Sequence, residues 1–228
     1  MKFLIIASPK PASTSLMKGL SNITGLSAKQ EYFKANKENY NFDLFVRALN
    51  KIFKNIQVTS NKYKESKKLR HVFPSHEFPL LSKFHSDIAD FDLATDLDTI
   101  LKHKIHKQHI PPTKNNLHLL KNTKKIILLR QPQEILESYL REPFTEELIY
   151  LQEKIRKDID FKLALTGELN LWVNGWLNAE KQNSYSIIID YKDLIEQTSI
   201  TINSILEFFE IDKKVDSNYN LPRERYYR

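Results

Sequence analysis

Short apolar runs alternate along the chain with stretches of helical periodicity. Phe3 to Ala7 is an apolar run rich in strand-forming residues, and the prolines at positions 9 and 11 prevent both its continuation and an immediate helix. Ser13 is then a good N-cap for a helix. The apolar stripe of that helix would consist of Leu16, Met17 and Leu20. The pattern therefore predicts a buried strand, a tight loop and a helix.

A second strand-to-helix corner follows residue 124. Ile126 to Leu129 is a continuous apolar run, as expected for a strand buried on both faces of a parallel sheet. Arg130 stands where the run ends, and Pro132 fits the first turn of a helix. The stripe of that helix would consist of Ile135, Leu136, Tyr139 and Leu140. Arg130 is thus expected at the carboxyl edge of the sheet, where open α/β folds bind ligands. The alternative is a surface salt bridge from Arg130 to Glu134 or Glu137.

Residues 101–112, LKHKIHKQHIPP, predict a further strand that ends before two prolines. Lys107 and His109 would lie on one face of it, together with His103 and Ile105, and emerge near its end. The alternative is a pair of exposed polar residues at a strand end. A metal site built from His103, His106 and His109 is disfavoured, because neither helical nor strand spacing brings three such rings together.

The rest of the pattern extends the same alternation. One helix is predicted on Leu148, Leu151, Ile155 and Ile159, and another on Leu169, Trp172, Val173, Trp176 and Leu177. A buried strand at 184–190 precedes a last helix on Ile202, Ile205, Leu206 and Phe209. Residues 22–100 form a less regular insertion, with an amphipathic helix on Phe42, Phe45, Leu49, Ile52 and Phe53. The tail at 218–228 is basic and aromatic, with a frayed terminus as the alternative. We predict a single-domain α/β protein with three α/β/α layers around a central parallel sheet.

Composition narrows the functional classes. The chain has 228 residues, a formal charge of +7 and no cysteine. The positive charge favours an anionic ligand such as nucleic acid, a nucleotide, or a sulfated or acidic sugar. The absence of cysteine excludes disulfides, thiolate metal sites and cysteine nucleophiles. The first residues are too short a run for a signal peptide, and no run approaches the ~18 to 20 apolar residues of a membrane span, so we expect a soluble, cytoplasmic protein.

The first corner has the chemistry of an anion site. Backbone N–H groups at a helix start, the hydroxyls of Ser13, Thr14 and Ser15, and the ammonium of Lys10 converge there, which suits phosphate or sulfate. An ordinary strand-to-helix turn with a solvated lysine is the alternative. The nucleoside-triphosphate loop G-x-x-x-x-G-K-[ST] is absent, and Ala12 stands where a glycine would be expected.

Four segments in order resemble the sulfotransferases that use 3'-phosphoadenosine 5'-phosphosulfate (PAPS). Residues 9–15, PKPASTS, stand in the place of that family's P-K-S-G-T-T-W loop, and residues 107–111, KQHIP, match its K-T-H-x-P segment. Residues 130–139 match its R-x-P-x-[DE]-x-x-x-S-Y motif, and residues 191–194, YKDL, match Y-E-D-L. The resemblance covers most of the chain and is thin between residues 21 and 101. It implies a P-loop NTPase-like sulfotransferase fold over residues 1–228.

Three departures from the family pattern stand out. Pro11 and Ala12 replace Ser-Gly in the loop, which removes one N–H donor and some backbone freedom. Ser15 replaces the tryptophan that stacks on adenine in many members. The G-x-x-G-x-W-K segment that closes over the nucleotide is missing, and Arg223 and Arg225 in the tail are the proposed substitutes.

The resemblance also implies a site and a reaction. PAPS would be the cosubstrate, without a metal, and a hydroxyl or amine of unknown class would be the acceptor. The residues implied for its 5'-phosphosulfate are Lys10, Ala12, Ser13, Thr14 and Ser15; those implied for its 3'-phosphate are Arg130 and Ser138. Lys10 and Lys107 would stabilise the leaving phosphate, and His109 would be the base that takes the acceptor proton. Glu77 or Asp87 in the insertion are alternative bases. Residues 22–100 would shape the acceptor pocket.

Two other classes remain open from the sequence. A nucleotide kinase or NTPase on the same sheet would bind Mg²⁺ and ATP and would need the absent G-K-[ST] loop. The other class is a non-catalytic binding protein. A nucleic-acid-binding module is suggested only by the net charge and the lysine run at 62–68, within a basic stretch at 61–71 that more commonly forms a solvated face. A catalytically silent relative that binds nucleotide for a structural reason is suggested by the Pro11 and Ala12 changes. Binding to nucleic acid would weaken steeply with salt. We do not expect nucleic acid as a partner, and the oligomeric state is open.

Overall fold

The computed structural model describes residues 2–10, 12–30, 73–74, 77–84, 88–90, 104–141 and 146–222. Several predicted features lie outside these residues. They are the helix on Phe42 to Phe53, the basic run at 61–71, Pro11, Asp87, His103, Arg223 and Arg225.

Strands and helices are interspersed along the described chain. The strands are β1 (Phe3–Ala7), β2 (Ala28–Gln30), β3 (Phe73–Pro74), β4 (Ala89–Asp90), β5 (Ile105–Gln108), β6 (Lys125–Leu129) and β7 (Ser186–Asp190). The helices are α1 (Ser13–Thr24), α2 (Pro79–Phe84), α3 (Lys114–Leu120), α4 (Pro132–Arg141), α5 (Glu146–Lys157), α6 (Ile159–Glu180), α7 (Tyr191–Glu196) and α8 (Thr198–Phe208). None of these helices is both long and apolar enough to cross a membrane.

The main sheet confirms the predicted parallel architecture. Its five strands have the order β2-β5-β1-β6-β7, and every neighbouring pair is parallel. The chain visits β2 and β5 on one side of β1 before it crosses to β6 on the other side. The strand order therefore reverses at β1, and the carboxyl edge beside β1 is where open α/β sheets form a ligand crevice. A separate two-stranded ribbon pairs β3 with β4.

The two faces of the sheet are covered by different helices, which confirms the three layers. Alternate residues of β1 and β6 point to opposite faces because the side-chain period of a strand is two. On one face, Leu4, Ile6, Ile127 and Leu129 pack with α2 and α4 to α6. On the other, Phe3, Ile5, Ala7, Ile126 and Leu128 pack with α1, α7 and α8. We call the second face the α1 face.

Two helix boundaries and the burial of one stripe residue differ from the sequence predictions. Helix α1 begins at Ser13, so the N-cap is Ala12 and not Ser13. The helix predicted to reach Ile159 ends at Lys157, and Ile159 is 73% exposed, because the Asp158 carboxylate accepts from the Phe161 N–H at 3.0 Å and starts α6 there. Leu177, expected in the stripe of that helix, is 36% exposed.

Strand β7 is also shorter and less buried than predicted. It spans Ser186–Asp190, not residues 184–190, and Ile189 is its one buried side chain. The reason is its position, since it is an outer strand of the described sheet and packs with β6 alone along one side. A run of three isoleucines therefore did not distinguish an outer strand from a central one.

The start of the tail packs on the α1 face. Leu221 and Tyr219 join the apolar cluster of that face, and a Cβ added at Gly19 of α1 would lie 2.7 Å from Leu221 Cδ2. Gly19 therefore makes room for this contact. The frayed terminus considered from the sequence is wrong for the tail as far as residue 222.

A buried ion pair fixes the amino end of β6, opposite the crevice. Lys125 Nζ lies 3.1 Å from Glu180 Oε2, and both side chains are buried. The ammonium also donates to the carbonyls of Leu120 at 2.9 Å and Thr123 at 3.3 Å. Burial lowers the pKa of Lys125, while Glu180 opposes this shift. The sequence did not reveal that Lys125 is buried.

A second buried carboxylate connects α2 to α6. Glu168 accepts from the backbone N–H groups of Leu80 and Leu81, each at 2.9 Å, and so satisfies donors at the start of α2. Phe78 packs edge-on against Trp172 of α6 at 5.4 Å between ring centroids. Burial raises the pKa of Glu168 to about 7, against the two hydrogen bonds that lower it. This carboxylate therefore attaches part of the 22–100 segment to the core.

Glu168→Gln is expected to change how stability depends on pH. A carboxyl with a raised pKa binds more protons in the folded chain than in the unfolded chain between pH 4.5 and about 7, so its contribution to the free energy of unfolding falls as pH rises through that window. Between pH 4.5 and about 7, the free energy of unfolding of the wild type should fall by on the order of 3 kcal/mol relative to that of the glutamine variant. Urea unfolding of both proteins at several pH values measures this difference.

Glu137→Gln is the matched control, because Glu137 is half exposed and pairs with Arg141 on the surface of α4. The Glu137→Gln protein should show the same fall in the free energy of unfolding across this window as the wild type. A Glu168→Gln protein that also keeps the wild-type fall would mean that Glu168 does not cause it.

Candidate functional site

The loop between β1 and α1 has an unusual backbone. Lys10 and Ala12 both adopt the left-handed conformation, with φ of 58° and 59°. This conformation costs a residue with a Cβ about 1 to 2 kcal/mol and costs glycine almost nothing. Ala12 therefore takes the shape that a glycine would take at this position, although the sequence lacks the glycine.

The first turn of α1 has no side-chain cap from its N-cap residue. Ala12 has no side-chain acceptor, whereas Thr113, Asp158 and Asp190 each accept from a backbone N–H at the start of α3, α6 and α7. Gln197 likewise makes no cap bond at α8. At α1, the side chains of Ser13 and Thr14 are buried beside this turn, and Ser15 is half buried. An uncapped helix start with adjacent hydroxyls is suited to an anion.

Arg130 follows β6 at the same edge of the sheet. Its Nη1 donates to the Lys10 carbonyl at 2.8 Å, and its backbone N–H donates to Ser8 Oγ at 3.1 Å. The Lys10 ammonium lies 5.9 Å from the centre of the Tyr139 ring on α4. The two corners predicted from the sequence therefore meet, one on each side of the β1–β6 junction.

The Arg130 guanidinium is also held by two other side chains. Its Nε donates to Glu134 at 3.3 Å, so the salt bridge considered as an alternative is present, but the arginine side chain is only 11% exposed. Glu137 pairs with Arg141 instead. The guanidinium stacks on Tyr191, 4.1 Å from the ring centre. Its Nη2 makes no hydrogen bond to the described residues, which leaves an oriented donor pair at the edge of the sheet.

Tyr191, Ser8 and Tyr139 make contacts that were not assigned to the site from the sequence. Tyr191 is the first residue after β7, the neighbour of β6 in the parallel sheet. Its position was available from the sequence, because the end of every parallel strand in the sheet reaches the same edge. Its stacking on Arg130 was not, because the order of the strands must be known first.

Lys107 and His109 form a buried pair on the other side of β1. Lys107 Nζ lies 3.1 Å from His109 Nε2, and His109 Nδ1 lies 2.8 Å from the Ala7 carbonyl oxygen. Their exposures are 2% and 7%. The predicted pairing of these side chains on one face is confirmed, and the alternative of exposed polar residues is wrong. The end of β1 thus contacts Arg130 through its loop on one side and His109 on the other.

The residues that follow His109 are held in place by neighbouring elements. Residues 110–113, which we call the platform, connect β5 to α3. The Ile110 carbonyl accepts from Trp176 Nε1 at 2.9 Å, and the Pro111 carbonyl accepts from Asn116 Nδ2 at 2.8 Å. Pro112 packs on Gly175 of α6 so closely that a Cβ there would lie 2.6 Å from the proline Cγ. The platform therefore fixes the backbone next to His109.

The remaining candidates are less closely connected to this edge. Ser138 is half buried on α4, one turn after Glu134, and Glu77 is exposed. His106 is buried in β5 and lies on the face opposite Lys107. Among the described residues, no three His, Asp or Glu side chains lie close enough together to bind a metal ion.

A separate hollow of about 550 Å³ lies at the opposite edge of the sheet. It is open to solvent and lies between the end of α3 and the α6–β7 turn, with Lys121, Glu180 and Tyr185 in its wall. None of the candidate residues lines it. We therefore place the candidate site at the carboxyl edge, where the strand ends converge, and not in this hollow.

A comparison with protein-family models identifies one family. A family model described as the sulfotransferase domain matches residues 5–222. A mouse sulfotransferase, SULT7A1, complexed with PAP is 15% identical with a TM-score of 0.48, over 93% of this chain and 59% of that one. A sulfotransferase from Alicyclobacillus acidocaldarius is 12% identical with a TM-score of 0.45, over 97% and 86%. The sulfotransferase domain from the curacin biosynthetic pathway is 14% identical with a TM-score of 0.47, over 93% and 75%.

The chain thus spans about three fifths of the length of the mouse protein. The search of curated protein sequences finds no match.

Gly175→Ala tests the platform. Alanine normally stabilises a helix interior by about 0.5 to 1 kcal/mol relative to glycine, but here the new Cβ would collide with the rigid Pro112 ring. We expect the free energy of unfolding to fall by about 1 to 3 kcal/mol, as in other overpacked sites. Gly167→Ala in the same helix is the control, because a Cβ added there would meet nothing within 4 Å, and it should be stabilising. Urea unfolding measures both changes in the free energy of unfolding. If the two changes had the same sign, this packing of Pro112 on Gly175 would be contradicted.

Proposed function

Because the chain belongs to the sulfotransferase family, we propose that it transfers a sulfuryl group from PAPS to a hydroxyl or amine of an acceptor. The observation that supports this most directly is the contact between the two corners, in which Arg130 Nη1 donates to the Lys10 carbonyl. This contact brings an arginine and a lysine-bearing loop to one edge of the sheet. A donor with an anionic group at each end of an adenosine needs two such positions side by side.

The β1–α1 corner fits the 5'-phosphosulfate of the donor. The N-cap residue Ala12 leaves the first N–H groups of α1 without a cap from its side chain, and such groups bind oxyanions well. We assign Lys10, Ala12, Ser13, Thr14 and Ser15 to this end of the donor. The left-handed backbone at Lys10 and Ala12 supports the assignment, because strained conformations at a loop concentrate at ligand sites.

The β6–α4 corner fits the 3'-phosphate. Arg130 is oriented by Glu134, the Lys10 carbonyl and the Tyr191 ring, so its remaining donors are fixed in direction before a ligand arrives. A planar guanidinium binds phosphate oxygens in a bidentate manner. Ser138 lies one turn after Glu134 on the same face of α4, and we assign its hydroxyl to the same phosphate.

Sulfuryl transfer needs a base to remove the acceptor proton and cations to stabilise the leaving phosphate, and the protein itself forms no covalent bond. The acceptor oxygen or nitrogen forms a bond to sulfur while the bond from sulfur to the 5'-phosphate oxygen breaks, and the electron pair of that bond stays on the phosphate. Lys10 and Lys107 stabilise the charge that develops there. His109 takes the acceptor proton, a role that contributes typically ~10² to 10⁴-fold. The platform supports this role of His109 because a base must be held at a fixed distance from its proton.

We assign the acceptor pocket to a region of the chain and do not name an acceptor compound. We propose that residues 1–228 form one domain and that residues 22–100 shape the acceptor pocket, with Glu77 as the alternative base from its described part. The attachment of α2 to α6 through Glu168 supports this, because it holds part of the segment on the core. We also propose that the tail from 218 reaches the donor with Arg223 and Arg225, since Leu221 packs on α1.

Arg130→Ala tests the donor site. We expect the affinity for 3'-phosphoadenosine 5'-phosphate (PAP) to fall by about 10- to 100-fold, because a charged hydrogen-bond partner contributes roughly 1.5 to 3 kcal/mol. The affinity for adenosine 5'-phosphate, which lacks the 3'-phosphate, should change little. Calorimetric titration of both nucleotides measures the two effects.

Arg141→Ala is the control on the same helix, because Arg141 is 68% exposed and should not affect either ligand. An equal loss for both nucleotides in Arg130→Ala would mean that Arg130 shapes the loop instead of binding the 3'-phosphate. Tighter wild-type binding of ATP with Mg²⁺ than of PAP would favour the kinase or NTPase class.

A further inference from the structure

The contact between Lys107 and His109 has a consequence for the order of the reaction. We propose that Lys107 blocks the proton-accepting nitrogen of His109 until a donor is bound, so that the base becomes available only in the donor complex. This inference rests on the proposed function. It assigns Lys107 a second role, as the group that controls when His109 can act.

The hydrogen bonds determine which nitrogen is blocked. A lysine ammonium has donors and no acceptor, so His109 Nε2 must accept from Lys107 Nζ at 3.1 Å. The Ala7 carbonyl can only accept, so His109 Nδ1 must donate to it at 2.8 Å. The imidazole is therefore neutral, with its proton on Nδ1. The lone pair of Nε2, which would receive an acceptor proton, points at the lysine.

Lys107 is the partner that can move. His109 is held by the Ala7 carbonyl, and the platform fixes the next four residues of the backbone. Lys107 has a flexible four-carbon stem with donors that rotate freely. Lys107 pairs with Ile5 across the sheet, so its side chain lies on the α1 face, the face on which α1 and the β1–α1 loop pack. A change of hydrogen-bond partner therefore needs rotation of the lysine side chain and no movement of the strand.

A donor anion at the start of α1 supplies the competing partner. Hydrogen bonds that involve a charged group are roughly twice as strong as those between neutral groups. An anionic phosphate or sulfuryl oxygen carries such a charge, and the neutral ring of His109 does not. An ammonium is therefore expected to bind the anion more strongly than the ring. The 5' anion is thus expected to draw Lys107 away from His109. The lysine then stabilises charge at the leaving oxygen, and Nε2 faces the acceptor.

This change of hydrogen-bond partner by Lys107, which we call the exchange, couples donor binding to removal of the acceptor proton. Before the donor binds, an acceptor hydroxyl finds the Nε2 of His109 occupied by Lys107. After it binds, the proton of the hydroxyl passes to His109 Nε2 as the oxygen bonds to sulfur and the bond from sulfur to the phosphate oxygen breaks. Donor binding is therefore expected to precede productive acceptor binding.

Nitrogen-15 NMR of the histidine side chains tests the exchange. His109→Gln identifies the resonances of His109, and Lys107→Met removes the donor to Nε2 while keeping the apolar stem. We expect the Nε2 resonance of the ligand-free wild type to differ from that of Lys107→Met. PAP, which has a 5' anion, should move the wild-type resonance toward the Lys107→Met value. Adenosine 3'-phosphate, which lacks the 5' anion, should not move it.

The outcomes separate this inference from the proposed function. If calorimetry shows that PAP binds while the Nε2 resonance stays in place, the exchange is wrong and the donor assignment stands. An identical Nε2 resonance in ligand-free wild type and Lys107→Met would also overturn the exchange. If PAP does not bind, the proposed function fails and the exchange fails with it. A proton found on Nε2 in the ligand-free protein would exclude the blocked state.

Discussion

The hydrogen bond from Arg130 to the Lys10 carbonyl is the contact on which the candidate site depends. It joins residues 120 positions apart and closes the gap between two strand-to-helix corners, with 2.8 Å between donor and acceptor. The bond also bears on the strain in the loop, because Lys10 is one of the two residues with left-handed backbone there. A carbonyl that accepts from a largely buried guanidinium is held in one direction. The arginine is held in return, so each corner limits the movement of the other.

The sheet makes this contact possible. Parallel strands bring all their carboxyl ends to one edge, and the central position of β1 gives its loop a neighbour on each side. On the β6 side the neighbour is Arg130, and on the β5 side it is the pair of Lys107 and His109. Arginine and lysine side chains, a histidine and a helix start whose N-cap residue makes no side-chain cap bond thereby lie at one edge of the sheet. The platform and Gly175 extend this rigidity from the edge of the sheet into α6.

Much of this arrangement could be predicted from the sequence, for a definite physical reason. The strands β1 and β6 are apolar on both faces, and prolines mark where each one ends, so their corners can be located from hydrophobicity and proline geometry alone. Lys107 and His109 were placed on one face because the period of a strand is two. These are local rules, and they hold where the backbone is regular.

Other features of the fold and of the candidate site depend on tertiary contacts and could not be predicted from local sequence. The N-cap of α1 was assigned to Ser13 because serine is a good cap, yet the cap is Ala12, in a conformation that only the surrounding loop can impose. The burial of Lys125 depends on Glu180, which is 55 residues away in the sequence, and the exposure of β7 depends on its outer position. The stacking of Tyr191 on Arg130 likewise depends on strand order. No periodicity within a single segment contains this information.

A crystal structure of the protein with PAP bound would test the proposed donor site at this edge of the sheet. We expect the 3'-phosphate within hydrogen-bond distance of the Arg130 guanidinium, and the 5'-phosphate at the first N–H groups of α1 beside Lys10. A nucleotide bound elsewhere, or bound at this edge with neither phosphate in contact with Arg130, would contradict it.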